Sequence, residues 1–399
     1  MEYESGPEFV RTEFARVFPG TPRLFQAPGR INIIGEHTDY NGGWVLPATV
    51  DLGTFAAMAP RTDGLLRVHL HHEHRTYDIA LNALEKGRPG DAVEYVKAVA
   101  WALQDEGVEL AGCDVLIAGT IPLGGGLSSS ASLETVLAWL LLDRVGTELE
   151  RSSVARICQR AEVEFVGVKC GIMDQYTIAL GAQQQAMMLN CTSLEFEHIP
   201  LPEAAQFLVV NSGVKRQLRS SEYNTRKAQC AEAVKVLSDV FPGLQSLAEL
   251  NLQQLVEHQN RLENTLFQRA RHVVSENHRV HHAARALRSS DMQQLGLLLN
   301  DSHASLRDDY AVSCAELDQL ADIASNCPAV LGARMMGAGF GGCTINLVEP
   351  GRMDEAMHII GSEYGQVLGS IPWMHPVRTV AAVNRVTEAQ HPASKGLAA

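Results

Sequence analysis

The sequence predicts a two-domain α+β protein, and three observations lead there. Its 399 residues suffice for two domains of ordinary size. Strand-like and helix-like runs mix without the strict alternation of a βαβ fold. A two-proline segment, "EHIPLPEAAQ", breaks the chain near residue 200. The first domain is therefore placed at 1–200 and the second at 201–388. Residues 389–399, within "EAQHPASKGLAA", read as a disordered tail.

The elements follow in order. Residues 5–19 have the spacing of a short amphipathic helix. The stretch "LFQAPGRINIIGEHTDYNGGWVLPATV" reads as strand, loop, strand, with Asn41-Gly42-Gly43 a strong turn signal. "TFAAMAP" and "LLRVHLHHEH" are strand-like. Residues 92–106 and 131–145 are helical by spacing. So are 153–166, where Val154, Ile157, Cys158, Ala161 and Phe165 share a face. Strand-like "QAMMLNC" and "QFLVVNS" flank the proline segment. Long helical patterns cover roughly 217–238 and 248–325, and glycine-rich "GARMMGAGFGGCTINLVEP" follows. No internal repeat is visible.

Composition narrows the function. The chain is 46% hydrophobic and 20% charged, so it can bury a core. A formal net charge of −13 argues against nucleic acid or anionic lipid as a main partner. The eight cysteines form no C-x-x-C pair and read as reduced thiols in or near the core. The N-terminal "MEYESGPEFVRTEF" is acidic and lacks an apolar signal core, and the longest apolar run, "VLAWLLL", is far short of a membrane span. A soluble cytoplasmic protein is expected.

The most informative stretch is "IPLGGGLSSSASLE", between a strand-like and a helix-like run. Glycines let backbone N–H groups approach an anion, and a helix N-terminus supplies unpaired donors and partial positive charge. Serine hydroxyls can bind phosphate or ligate Mg²⁺. The stretch fits a phosphate loop built from Gly124, Gly125, Gly126, Leu127, Ser128, Ser129 and Ser130. It fits equally a glycine-rich turn capped by serine. It is not a Walker loop, because no G-x-x-x-x-G-K-[ST] is present. In "GRINIIGEHTDY", Glu36, His37 and Asp39 crowd a loop after an apolar strand. They could meet sugar hydroxyls, or they could form a polar turn with Asp39 capping backbone N–H groups. Asp174, before a short helical run, could be an N-cap, a general base or both.

Together these motifs resemble the GHMP small-molecule kinases. The "PLGGGLSSSASLE" loop, "APGRINIIGEHTDYNGG" (27–43) and "GARMMGAGFGGC" (332–343) are similar to the family's three signatures. The first two resemble the galactokinase branch in particular. "CGIMDQY", "SSEYNTRK" and "SHASLRDDYAVSCAELD" also match, and the resemblance covers roughly residues 10–385. It implies a two-domain GHMP fold, ATP and Mg²⁺ as cofactors, and galactose phosphorylated at its anomeric hydroxyl by a monomer. It implies Asp174 as base with Arg30 beside it, a cation that favours a neighbouring carboxylate form and stabilises phosphoryl charge. Glu36, His37, Asp39 and Tyr223 would contact the sugar, and Ser130 with Glu162 would hold the metal. Without the resemblance, Glu162 is a solvated helix glutamate and Tyr223 a half-buried helix tyrosine. Of the basic cluster Lys215, Arg216 and Arg219, Lys215 is the candidate near the phosphates. "HLHHEH" (69–74) has no ligand spacing that supports zinc.

Three positions depart from the family pattern. Met336 replaces a usual threonine, Ala92 a frequent tryptophan near the nucleotide, and Gly213 a common asparagine. Two other readings remain: a GHMP kinase for an amino sugar such as N-acetylgalactosamine, and a non-catalytic regulator that senses galactose and ATP.

Overall fold

The computed structural model describes residues 6–88, 90–122, 124–214 and 219–387. The first half runs α1 (Pro7–Val17), β1 (Arg23–Asn32), β2 (Trp44–Val45), β3 (Pro47–Pro60), β4 (Leu65–Leu70), β5 (Arg75–Ala80), α2 (Ala92–Asp105), β6 (Cys113–Gly119), α3 (Ser129–Val145), α4 (Arg151–Arg160), α5 (Met173–Leu180), β7 (Gln185–Asn190) and β8 (Phe196–Pro200). The second runs β9 (Gln206–Asn211), α6 (Arg219–Ser238), α7 (Leu252–Glu257), α8 (Asn264–Arg288), α9 (Met292–Asp308), α10 (Ala315–Asn326), β10 (Val330–Met336), β11 (Cys343–Val348), α11 (Met353–Leu368), β12 (Met374–Pro376) and β13 (Asn384–Val386).

Period-two alternation builds the layers. The first sheet has the order β13-β1-β3-β6-β4-β5, mixed because β4 pairs with β6 in parallel. On β1, Leu24 faces Val10 and Phe14 of α1, while Phe25 faces the core shared with α2, α3 and α4. The second sheet, β10-β11-β9-β12, is antiparallel. On β9, Leu208 and Val210 pack against α10 and α11, whereas Phe207 and Val209 face α8 and α9. The core of that inner face also takes Ile31 and Ile33 from β1 and its following loop. One apolar core therefore runs between the halves. The expected boundary near residue 200 falls between β8 and β9, and β13, beyond it, pairs back onto β1. A small third sheet, β2-β7-β8, completes the strands.

Local predictions meet local corrections. The helical pattern at 248–325 is several helices, not one. Asn251 opens α7 with a capping box, Asp291 caps α9 after Ser290 turns at φ 56°, and Ala311 turns at φ 53° before α10. The run 153–166 is α-helical only to Arg160 and ends in a π-helical turn, Ala161–Val166. Strand β4 stops at Leu70, and His71–Glu73 form a short 3₁₀ turn, so the histidines do not alternate along one strand. No group of three or more metal-type ligands occurs among the described residues. All eight cysteines are unpaired, and five are buried. Among the described residues no helix is long and apolar enough to cross a membrane. Gly213, one of the family departures, sits at φ 75°, a conformation glycine adopts without strain.

Two glycines let α9 lie directly on β10. A Cβ on Gly296 would collide with the Leu331 carbonyl, and one on Gly332 with the Gly296 carbonyl. Gly296→Ala is expected to destabilise the protein by about 1–3 kcal/mol through overpacking. Gly64 has open space around it, and Gly64→Ala is expected to be neutral or slightly stabilising. Thermal denaturation of both variants checks the contrast.

Candidate active site

Six segments converge on a cavity of about 360 Å³. Its walls come from β1 with the loop after it, α2, the Gly-Ser loop with the start of α3, the π-turn with the start of α5, α6, and the glycine-rich loop after β10.

The loop's sequence explains its shape. Gly124 and Gly126 take φ of 77° and 80°, and Ser128 takes φ 59° immediately before α3. Helix α3 starts at Ser129, so Ser128, Ser129 and Ser130 ring its N-terminal end, where unpaired N–H groups gather. All three line the cavity, with Gly124 and Gly126. Leu127 does not; it is buried in the core, and its carbonyl accepts a hydrogen bond from Arg30 N at 3.2 Å. Gly125 shapes the turn through its N–H to the Pro122 carbonyl at 3.1 Å. This closeness of loop and strand needs Gly29, where a Cβ would lie 2.8 Å from the Leu127 carbonyl oxygen. The loop is a glycine turn whose residues line the cavity, but the serine cap is corrected: Ser128 makes no side-chain capping bond and turns its hydroxyl to Asp174.

Arg30 and Asp174 form a bidentate pair, Nε to Oδ1 at 2.8 Å and Nη2 to Oδ2 at 3.0 Å. Arg30 is buried and also donates to the Gly126 carbonyl, while the Ser128 hydroxyl donates to Asp174 Oδ2. Asp174 is the second residue of α5 and its N-cap is Ile172. The N-cap reading of Asp174 is thus corrected: its carboxylate turns to Arg30 and Ser128 instead.

The sugar-type loop is packed, not solvated. Glu36 Oε1 accepts from Gly337 N at 2.7 Å and from Arg334 Nη2 at 3.3 Å, so the third glycine-rich motif holds it. His37 takes φ 63°, its Nδ1 lies 2.8 Å from the Tyr40 hydroxyl, and its Nε2 is buried with no partner among the described residues. Burial, then the neighbouring His272 and Arg226, push His37 down to about 3, so its ring is neutral at physiological pH. Asp39 is pushed up to about 7, first by burial and then by the Asp174 charge. Gly171 leaves room for its carboxylate; a Cβ there would land on it. Tyr223 arrives from α6 with its ring 4.9 Å from that of Tyr40 and 5.8 Å from that of His37.

Glu162 sits on the π-turn and is buried, which overturns its reading as a solvated helix residue. It accepts from Gln175 Nε2 at 2.8 Å, contacts Cys170 Sγ at 3.4 Å, and is hydrogen-bonded by Ser130. Burial and the Asp174 charge push it up to about 7. Lys215 lies outside the described residues. Met336 is fully buried in the core at the end of β10.

Some cavity residues escaped the sequence reading. Tyr95 lines the cavity from α2, one turn after Ala92, and the tyrosine in "VEYVKAV" was its signal. Gln175 and the fully buried Glu134 carry no local sign of burial beyond their place in apolar helical runs.

The Gly-Ser loop faces a polar pocket across the buried Arg30 guanidinium and the half-buried Asp174 carboxylate, and the chain that carries them is a small-molecule kinase of the GHMP class. Residues 94–182 match the GHMP kinase N-terminal domain, and 283–366 the C-terminal one. Residues 12–60 match the galactokinase galactose-binding signature. The chain is 39% identical over 374 residues to a galactokinase of Roseiflexus sp. (strain RS-1), covering 92% of this chain and 94% of that one. It is likewise 39% identical over 371 residues to a Bacillus subtilis galactokinase, covering 91% and 94%. The crystal structure of Lactococcus lactis galactokinase complexed with galactose superposes with a TM-score of 0.91 at 35% identity, over 95% of this chain and 99% of that one. A mevalonate kinase superposes with a TM-score of 0.64 at 20% identity, a likeness of fold alone. The chain belongs to the galactokinase family.

The raised Asp39 carboxyl has a consequence for stability. Its folded value, about 7, lies above the ordinary 3.8, so the folded state holds the proton more tightly than the unfolded state. The contribution of Asp39 to stability therefore falls as pH rises from about 4 through 7, with no further change from this group above. Asp39→Asn is expected to match wild type near pH 4 and to unfold at a higher temperature at pH 8. Melting curves of the sugar-free protein against pH check this.

Proposed function

We propose that this protein transfers the γ-phosphoryl group of ATP to the anomeric hydroxyl of α-D-galactose, giving galactose 1-phosphate and ADP. The observation that carries this reading is the Arg30–Asp174 pair, set between the Gly-Ser loop and the sugar-type loop. Asp174 pairs with Arg30 beside the start of α3 and lines the same cavity as Asp39, which supports its facing both phosphate and sugar in this reading. It accepts or orients the proton of the attacking hydroxyl, and Arg30 stabilises charge on the phosphoryl group in flight. Gly124, Gly125, Gly126, Ser128 and Ser129 cradle the phosphates, with Leu127 fixing the loop's depth. Lys215 is an additional phosphate contact in this reading.

Ser130 and Glu162 are hard oxygen donors side by side, and among the described residues no cluster of three or more metal-type ligands surrounds them. That donor set fits Mg²⁺, whose other positions would come from phosphates and water. When bound, the ion neutralises charge on the phosphates. A neighbouring cation also offsets the burial that raises Glu162.

Galactose and glucose differ only at the 4-hydroxyl. Strong discrimination needs a fixed polar group there, left unpaired by the wrong sugar. Asp39, confined by Gly171 and faced by Tyr223, is that group in our reading, with Glu36 and His37 beside it. His37 Nε2 is the buried polar atom that a sugar hydroxyl would satisfy.

A hexose panel in an ADP-release assay tests the assignment. Galactose and 2-deoxygalactose are expected to turn over and glucose barely to react. Equal rates on glucose and galactose would remove the galactose assignment, and preference for an N-acetylated sugar would make the protein an amino-sugar kinase. Asp174→Asn is expected to lower turnover by at least ~10²-fold with galactose binding kept. Near wild-type turnover would take Asp174 out of the reaction. Glu162→Gln is expected to raise the Mg²⁺ concentration for half-maximal rate, and an unchanged titration would leave Glu162 without a metal role.

A further inference from the structure

Glu134 is a fully buried carboxylate with no part in the reaction described above. It lies on the second turn of α3, below the phosphate loop. Its polar partners are Gln175, also fully buried, and the Glu162 carboxyl, to which it is itself hydrogen-bonded. The Gln175 amide donates to Glu134 Oε2 at 3.0 Å and to Glu162 Oε2 at 2.8 Å. A primary amide nitrogen has two hydrogens, and each goes to one carboxylate. Gln175 Oε1 and Glu134 Oε1 have no partner among the described residues. The amide is thus held by its donor end alone, between two acceptors.

We propose that Gln175 is a positioning residue for the metal: anchored on Glu134, it clasps Glu162 Oε2 and so fixes how Glu162 presents its carboxylate beside Ser130. The proposal rests on the reading of Glu162 and Ser130 as metal ligands. Glu162 needs such a clasp because it stands on a π-helical turn, without the regular i→i−4 ladder that stiffens a helix side. Its other partners are Ser130, its fellow ligand in this reading, the Glu134 carboxyl and Cys170, which offers a weak S–H contact at 3.4 Å. Glu134 is rooted in the apolar core of α3 among Leu137, Ala138 and Leu141, so it is a firm anchor. Outer partners of this kind orient ligating carboxylates in metal sites generally. The clasp also ties two parts of the site together. Asp174 and Gln175 are consecutive on the first turn of α5, about 100° apart around the helix. One faces Arg30 and the other faces Glu162. A single short helix therefore sets the spacing between the base and the metal ligand.

The test is equilibrium binding of Mn²⁺, by electron paramagnetic resonance, to protein saturated with a non-hydrolysable ATP analogue. Gln175→Met keeps length and removes both donors, and it is expected to weaken Mn²⁺ binding about 10-fold or more, the low end for lost outer partners. Galactose affinity without metal is expected to stay at the wild-type value, which general damage to the fold would not allow. Glu134→Gln keeps an acceptor oxygen for the clasp and is expected to bind Mn²⁺ as wild type does; this second variant holds the test open if Gln175→Met does not fold. Wild-type Mn²⁺ affinity in Gln175→Met, with Glu162→Gln impaired, would overturn the clasp and leave the metal reading standing. Wild-type affinity in Glu162→Gln would instead overturn the metal reading itself. Loss of Mn²⁺ binding in Glu134→Gln would show action through charge, not through the clasp, and would also overturn the proposal.

Discussion

The Arg30–Asp174 ion pair is the constraint on which the rest of the site depends. A buried guanidinium is tolerated only when its donors are matched, and Arg30 spends them on Asp174 and on the Gly126 carbonyl. That requirement draws three parts of the chain to one point: β1, the phosphate loop and the start of α5. Strand β1 can reach the loop because residue 29 is glycine. The loop can bend over it because Gly124 and Gly126 accept positive φ. Ser128, itself at positive φ, adds its hydroxyl to Asp174. The pair is a structural rivet and, in the proposed reaction, the place where phosphate and hydroxyl meet.

A second buried arginine does comparable work for the sugar side. Arg334 of β10 is fully buried and donates to the Ile33 carbonyl at 2.8 Å, to the Asn32 carbonyl and to Glu36. The third glycine-rich motif therefore has a structural part in the first half of the chain. Through Arg334 and the Gly337 N–H it fixes the loop that carries Glu36, His37 and Asp39. The tyrosine chain His37–Tyr40–Tyr310, with hydroxyl contacts of 2.8 Å, ties that loop to the second half as well. The pocket proposed for the sugar takes residues from both halves, Glu36, His37 and Asp39 from the first and Tyr223 and Gly337 from the second.

Much of this was legible in the sequence, and the reasons differ by residue. The glycine and serine loop carries its own conformational logic, so its place between strand and helix could be read locally. Glu36, His37 and Asp39 could be grouped because they are adjacent in the chain. Burial was harder. Glu162 reads as a surface residue because helical spacing puts it at the rim of an apolar face. Only the π-turn and the packing of α4 against α5 rotate it inward. Asp174 reads as a cap because its pull toward Arg30, 144 positions away, leaves no local trace. Gln175 and Glu134 were invisible for the same reason: long-range pairing makes a buried polar residue worthwhile, and single-sequence patterns do not record pairs. The helical patterns over 248–325 divide at Ser290 and Ala311, non-glycine residues at positive φ that composition does not announce.

The central claim is that Arg30 and Asp174 act as one unit in phosphoryl transfer. A double-mutant cycle of Arg30→Lys, Asp174→Asn and the pair, read as turnover at saturating galactose and ATP, tests it most directly. Lysine keeps the charge but loses the bidentate fork. If the pair is a unit, its losses are strongly non-additive, and the double variant is little slower than the slower single variant. Losses that multiply independently would contradict the account, because the two side chains would then serve the reaction separately.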